Sequence, residues 1–260
     1  MIKLIASDVD GTLIRKGMKT CDPRLFDQIK RLKDHGILFV AASGRPYDNL
    51  RDMFEPVKDD IAYISESGPI GMYQGEKYYD KPLDPAAVVS MVTDIRNREG
   101  GNILFSLAET TYIETAVDTP FEHYMHDQLL YNSTLSDDVL ALKGSCYKVA
   151  SCNLSGNEKD SVYYKDKYAK DFTVVDSGDY WVDMIPKGVD KGTCLKALLD
   201  RLNIRPEEVL AFGDQENDMA MLKLAETAYA MHTSAPHVIE AAGNFTDCPE
   251  DIIEELLKTL

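Results

Sequence analysis

An α/β fold built on a parallel sheet, with an α+β segment inserted into it, is what this 260-residue sequence predicts. Short apolar runs alternate with amphipathic helical segments towards both ends of the chain, the pattern of strand–helix–strand units. The middle of the chain loses that alternation. Three of four conspicuous polar clusters directly follow apolar runs, where open parallel sheets bind ligands.

Residues 2–7 (Ile-Lys-Leu-Ile-Ala-Ser) read as a short buried strand, followed by a polar turn over 8–12 that contains Gly11. Leu25, Ile29 and Leu32 recur at helical spacing over 23–35, and Gly36 closes that helix. Residues 37–42 form a second apolar run, 47–54 a helix and 61–64 a third strand. From about 83 to 181 long polar stretches separate short strands at 103–107, 111–114, 147–153 and 172–175. Helical patterns lie at 85–98, 119–129, 136–142 and 157–169. The opening style then returns. A helix over 191–202 precedes a strand at 209–212, a helix at 218–223, a strand at 227–231 and helices at 236–242 and 251–260. A core over 1–82 and 187–260 and an insertion over 83–186 are therefore expected.

Hydrophobic residues make up 44% of the chain, enough for a sizeable core. No apolar run approaches the ~18–20 residues that span a bilayer, and the N-terminal residues lack the apolar core of a signal peptide. A cytoplasmic location is expected. The five cysteines are widely spaced and form no Cys-x-x-Cys, which argues against a disulfide framework or a zinc site. With 28 basic against 44 acidic residues the net charge is −16, a surface that repels nucleic acid and anionic membranes. An anionic substrate would then need a local cationic pocket.

Asp8 and Asp10 stand two apart at a strand exit, where both can aim at one ligand. Their repulsion calls for a compensating cation, and Mg²⁺ takes such oxygens. Alone, Asp-x-Asp is equally the pattern of a surface loop or a generic metal site. Ser43-Gly44-Arg45 offers a hydroxyl and backbone N–H groups suited to a phosphate oxygen, or an ordinary capped turn. Lys191 opens a helix, where ammonium and helix start both favour an anion; it could also be a surface lysine. The run Gly213-Asp214-Gln215-Glu216-Asn217-Asp218 crowds carboxylates behind an apolar strand and points to a metal.

Together, Asp8-Val9-Asp10-Gly11-Thr12-Leu13, Ser43-Gly44-Arg45, Lys191-Gly192 and Gly213-Asp214-x-x-Asn217-Asp218 resemble the four ordered motifs of the haloacid dehalogenase superfamily. The insertion resembles the class IIB cap of its Cof-type phosphatases, Pro186 to Gly192 is similar to their approach to the lysine, and Ile64 to Gly68 resembles the stretch that usually leads into that cap. This chain has Glu66-Ser67-Gly68-Pro69 where those proteins usually carry Glu-Asn-Gly-Ala, and Met231-His232-Thr233-Ser234 in place of Met-Gly-Asn-Ala. The resemblance implies a Rossmann-like core with a cap and a Mg²⁺-dependent phosphatase. In it, Asp8 is the nucleophile and forms an aspartyl-phosphate, while Asp10 is the general acid and base. Mg²⁺ is held by the Asp8 and Asp214 carboxylates and the Asp10 carbonyl. Ser43, Gly44, Lys191 and Asn217 bind the phosphoryl group, supported by Arg45 and Asp218.

Small phosphate monoesters are the expected substrates, with sugar phosphates foremost and flavin mononucleotide or pyridoxal phosphate as further candidates. No nucleic-acid or membrane partner is expected, and the protein is expected to be a monomer or homodimer. A phosphomutase, or a non-catalytic phospho-aspartyl metabolite sensor, are the alternatives; Asp10 beside the nucleophile speaks against the sensor. Tyr180, Trp181 and His126 are candidates to line the substrate pocket, or are structural.

Overall fold

A computed structural model describes residues 1–108, 110–129 and 131–260; Glu109 and Leu130 both fall inside the expected insertion. The chain divides into two compact units. One comprises residues 1–45, 50–80 and 190–260, the other residues 46–49 and 81–189.

The first unit begins with β1 (Leu4–Asp8), buried along its whole length. Such a run, apolar without alternation, is what a strand covered on both faces requires. Helix α1 (Pro23–Asp34) follows, with the Asp22 carboxylate accepting from Arg24 N–H and Pro23 in its first turn. Leu25, Ile29 and Leu32 are its buried stripe, each such side chain contributing roughly 1.5–3 kcal/mol on burial. Then come β2 (Leu38–Ala42), α2 (Tyr47–Met53), of which residues 50–53 belong to this unit, and β3 (Ala62–Ser65). A hairpin of β4 (Ile70–Tyr73) and β5 (Glu76–Asp80) completes this half.

The second unit contains α3 (Pro85–Arg96), β6 (Asn102–Ser106), β7 (Thr111–Glu114), α4 (Pro120–His123), β8 (Ser133–Ser136), β9 (Lys148–Cys152), α5 (Glu158–Tyr168), β10 (Phe172–Asp176) and β11 (Trp181–Pro186). Its six-stranded sheet has the order β10-β11-β9-β6-β7-β8, antiparallel except for the β7–β8 pair. One face packs on α3 and α5 through residues such as Met91, Val149, Tyr164 and Met184. Two expectations fail here. The helix expected over 136–142 is the end of β8 followed by a single 3₁₀ turn at Val139–Ala141. The expected helix over 119–129 is a four-residue α4 continued by a π-helical turn at Tyr124–Gln128.

The chain returns to the first unit with α6 (Lys191–Leu202), β12 (Val209–Gly213), α7 (Met219–Leu224), β13 (Thr227–Met231), α8 (Pro236–Ala242), β14 (Phe245–Thr246) and α9 (Pro249–Leu257). The eight-stranded sheet has the order β14-β13-β12-β1-β2-β3-β4-β5, parallel from β14 to β3 and antiparallel at β4 and β5. β1 lies between β2 and β12, so successive connections run to opposite sides of it. That reversal opens a crevice at the carboxyl ends of the strands. The expected α/β core is borne out. Among the described residues, no helix is long and apolar enough to cross a membrane, and all five cysteines are free thiols.

Candidate active site

Asp8 is the last residue of β1, Ser43 follows β2 and Asp214 follows β12. Three neighbouring strands thus deliver three of the expected clusters to one sheet edge. The fourth arrives on α6, whose first residue is Lys191. Its start is fixed by a reciprocal cap: Asp190 Oδ1 accepts from Thr193 N–H (2.7 Å) while Thr193 Oγ1 accepts from Asp190 N–H (2.9 Å).

Lys191 is fully buried. Its ammonium donates to Asp8 Oδ1 (2.5 Å) and to Asp218 Oδ1 (2.6 Å). Burial alone would lower its pKa; the carboxylates of Asp218 and Asp8 outweigh burial and raise it. Asp218 Oδ2 accepts from the N–H groups of Asp214 (2.9 Å) and Gln215 (3.0 Å), so one carboxylate both anchors Lys191 and shapes the loop after β12. The second oxygen of Asp8 is buried and has no hydrogen-bond partner. Burial, reinforced by Asp218 and Asp214, pushes the Asp8 carboxyl well above the ordinary range despite the pull of Lys191. Asp214 is pushed up to about 6, by burial first and then by Asp218.

Glycines permit this crowding. A Cβ on Gly11, at φ +98°, would stand within the Asp214 carboxylate, and one on Gly213 would meet Asp218 Cβ at 2.6 Å. The turn carrying Gly11 is closed by Leu13 N–H donating to Val9 O (2.9 Å) and Gly11 N–H donating to Ile14 O (2.9 Å).

Carboxylate oxygens of Asp8, Asp214 and Asp218 lie within 4.8 Å of one another. Three carboxylates against the one Lys191 ammonium leave a formal charge of −2, which a divalent cation would cancel. The all-oxygen donor set and the unpartnered Asp8 oxygen suit a hard cation such as Mg²⁺.

Asp10 occupies a different environment. Its carboxylate is half-exposed and clamped by Arg45, Nε to Oδ2 at 2.8 Å and Nη2 to Oδ1 at 2.7 Å. Ser43 Oγ donates to the same Oδ2 at 3.3 Å and accepts from Arg45 N–H at 3.1 Å. The two aspartates therefore separate, Asp8 inward to Lys191 and Asp10 outward to Arg45. Asn217 lies in the loop after β12, its amide oxygen buried without a partner.

The haloacid dehalogenase-like hydrolase family model matches residues 5–253. The chain belongs to that family. This haloacid dehalogenase-like hydrolase is 28% identical to the Escherichia coli 5-amino-6-(5-phospho-D-ribitylamino)uracil phosphatase YbjI, over 99% of this chain and 97% of that protein. It is 25% identical to the HMP-PP phosphatase of an Enterobacter species, over 92% and 87%. A crystal structure from Eubacterium rectale superposes with a TM-score of 0.85 at 30% identity, covering 99% of this chain and 98% of the other. The expected superfamily is borne out, and both of these relatives are named phosphatases.

Sequence reasoning did not foresee the Asp10–Arg45 clamp, although a half-exposed acid near an arginine at the next strand exit is its natural partner. It also treated Glu66-Ser67-Gly68 only as a stretch leading into the insertion. All three residues have positive φ (+56°, +65° and +136°), and Glu66 and Ser67 are buried. Their N–H groups tie this turn to the Ser43 segment: Glu66 donates to Arg45 O and Ser67 to Ser43 O, each at 3.0 Å.

The pocket-lining candidates have structural work within the second unit. His126 Nδ1 lies 2.9 Å from Glu122, and its Nε2 lies 3.0 Å from both Ser133 O and Oγ. Trp181 stacks on Tyr124 at 6.3 Å, and Tyr124 meets Tyr180 edge-on.

Proposed function

We propose that the protein is a Mg²⁺-dependent hydrolase of small phosphate monoesters that works through an aspartyl-phosphate on Asp8. The observation that carries this reading is the buried Asp8 carboxylate at the end of β1, one oxygen held by Lys191 and the other unpartnered. A carboxylate fixed by one oxygen presents the other as a positioned nucleophile.

Asp8 attacks phosphorus as the bond to the ester oxygen breaks, and Asp10 delivers a proton to that departing oxygen. To do so Asp10 gives up one of its contacts with Arg45. Asp10 then takes a proton from water as water displaces Asp8 from phosphorus, releasing orthophosphate and restoring the carboxylate. Lys191, Ser43, Gly44 and Asn217 bind phosphoryl oxygens, and Asp218 keeps Lys191 in place. Mg²⁺ bound by the Asp8 and Asp214 carboxylates and the Asp10 carbonyl would neutralise the charge between Asp8 and the incoming phosphate.

In this reading residues 83–186 form a cap domain that selects the organic part of the ester. Sugar phosphates lead the candidate substrates, with flavin mononucleotide and pyridoxal phosphate beside them. The relatives' names add 5-amino-6-(5-phospho-D-ribitylamino)uracil to the panel.

The test is a phosphate-ester panel with Mg²⁺, run on wild type and Asp8→Asn. Wild type is expected to release orthophosphate, and Asp8→Asn to lose turnover while keeping its circular dichroism spectrum. Activity surviving this change within about tenfold would sink the nucleophile assignment, since losing a nucleophile costs orders of magnitude. Turnover that persists in a chelator would remove Mg²⁺ from the mechanism.

A further inference from the structure

We infer that Ser67 is a further ligand of the transferred phosphoryl group, its hydroxyl donating to a phosphoryl oxygen beside the Ser43-Gly44-Arg45 turn. The inference rests on the phosphatase reading above.

Four observations meet at this residue. The Ser67 Oγ is buried and has no hydrogen-bond partner, although Ser67 is only 3% exposed. Most buried hydroxyls have a partner, and one left alone calls for an explanation such as strain, a water, an ion or a ligand. Ser67 also stands at φ +65°, directly after Glu66 at φ +56°. Two consecutive non-glycine residues in the left-handed region are unfavourable, and such strain persists where the surroundings enforce it, often at functional sites.

The surroundings do enforce it. Ser67 N–H donates to Ser43 O, and Glu66 N–H to Arg45 O. On the far side, a Cβ on Gly68 would fall 2.5 Å from the backbone carbon and oxygen of Asp190, the cap residue immediately before Lys191. The turn is thus wedged between the segments that carry Ser43 and Lys191. Finally, the hydroxyl faces the missing side chain of Gly44, because a Cβ there would lie 3.1 Å from Ser67 Oγ. Ser67 therefore adds a neutral donor to the group formed by Ser43, Gly44 and Lys191, where a dianionic phosphoryl group has several oxygens to satisfy.

Ser67→Ala and Ser67→Gly test this together. Both remove the hydroxyl, and Ser67→Gly also relieves the positive-φ penalty. The probe is inorganic phosphate in the presence of Mg²⁺, measured as a competitive inhibition constant and by calorimetry. Both variants are expected to bind orthophosphate about 10- to 100-fold more weakly, the range for a hydrogen bond to a charged group. Ser67→Gly is expected to melt no lower than wild type. Turnover (kcat/KM) should fall by the same factor on two esters with unrelated organic parts, because the phosphoryl group is what they share.

Orthophosphate inhibition unchanged within twofold in both variants, with wild type active, overturns the inference and leaves the phosphatase reading standing. A loss confined to one ester also overturns it, placing Ser67 against the organic part. A wild type with neither turnover nor orthophosphate binding brings down the phosphatase reading, and this inference with it.

Discussion

Replacing Lys191 by Met would remove the ammonium that stands 2.5 Å from Asp8 and 2.6 Å from Asp218, and would leave three carboxylates packed together without it. Methionine fills most of the lysine volume, so the cost is electrostatic rather than a cavity. Removing one partner from a buried ion pair costs about 3–5 kcal/mol. Proton uptake by Asp8 and Asp214, whose carboxyls are already pushed up, moves the cost towards the lower end. At roughly 2–4 °C per kcal/mol for a chain of this size, ~3 kcal/mol lowers the melting temperature by about 6–12 °C. The assay is thermal unfolding followed by circular dichroism at pH 7 with a chelator present. Adding Asp218→Asn to Lys191→Met removes one of the stranded carboxylates, so the double variant should lose less than the sum of the single changes. A Lys191→Met midpoint within about 1 °C of wild type would show that the buried triad is not held by this ammonium, as would strict additivity.

The pH dependence of the metal-free protein has a definite sign at Asp214. Its carboxyl titrates at about 6 in the fold against an ordinary 3.8, so between these values the native state holds a proton that the unfolded chain has released. Its contribution to stability is fully present below pH 3.8 and is lost as the pH rises through about 6, at no more than about 1.4 kcal/mol per pH unit. Denaturant melts from pH 4 to 7 should show this slope in wild type and a flatter one in Asp214→Asn; equal slopes would contradict it. Saturating Mg²⁺ should also flatten the wild-type slope, the cation taking the proton's place. Gly11→Ala should lower stability by about 1–3 kcal/mol and cut activity at least tenfold, because the added Cβ meets the Asp214 carboxylate. Gly17→Ala, at φ +89° with open space around it, should leave activity intact.

The parallel core was legible because strands covered on both faces leave uninterrupted apolar runs, as at residues 2–7 and 209–212. The convergence of Asp8, Ser43 and Asp214 followed from their places at strand ends. What escaped obeyed weaker signals. The β4–β5 hairpin turns at Gln74-Gly75, both at positive φ, but its strands are short, and β5 is half-exposed and lacks an apolar pattern. β11 was missed because Asp183 interrupts its apolar run; buried, that carboxylate stands 3.5 Å from the Lys148 ammonium and accepts from Ser177 Oγ. The contrast between Asp8 and Asp10 could not be read from an Asp-x-Asp spacing. It depends on Arg45 and Lys191, which reach those carboxylates from residues 35 and 183 positions away.

The pairing of β1 with β12 has a consequence for the newborn chain. Leu4 lies in register with Val209, so one edge of the central strand finds its partner only after some 200 further residues have been made. At the usual pace of synthesis that takes roughly 10–40 s, during which β2 can cover one edge of β1 while the other presents unpaired backbone groups. Throughout that interval the nascent polypeptide carries an apolar strand edge open to misassociation. Ribosome-bound intermediates shorter than about 210 residues are therefore the species on which a chaperone would act.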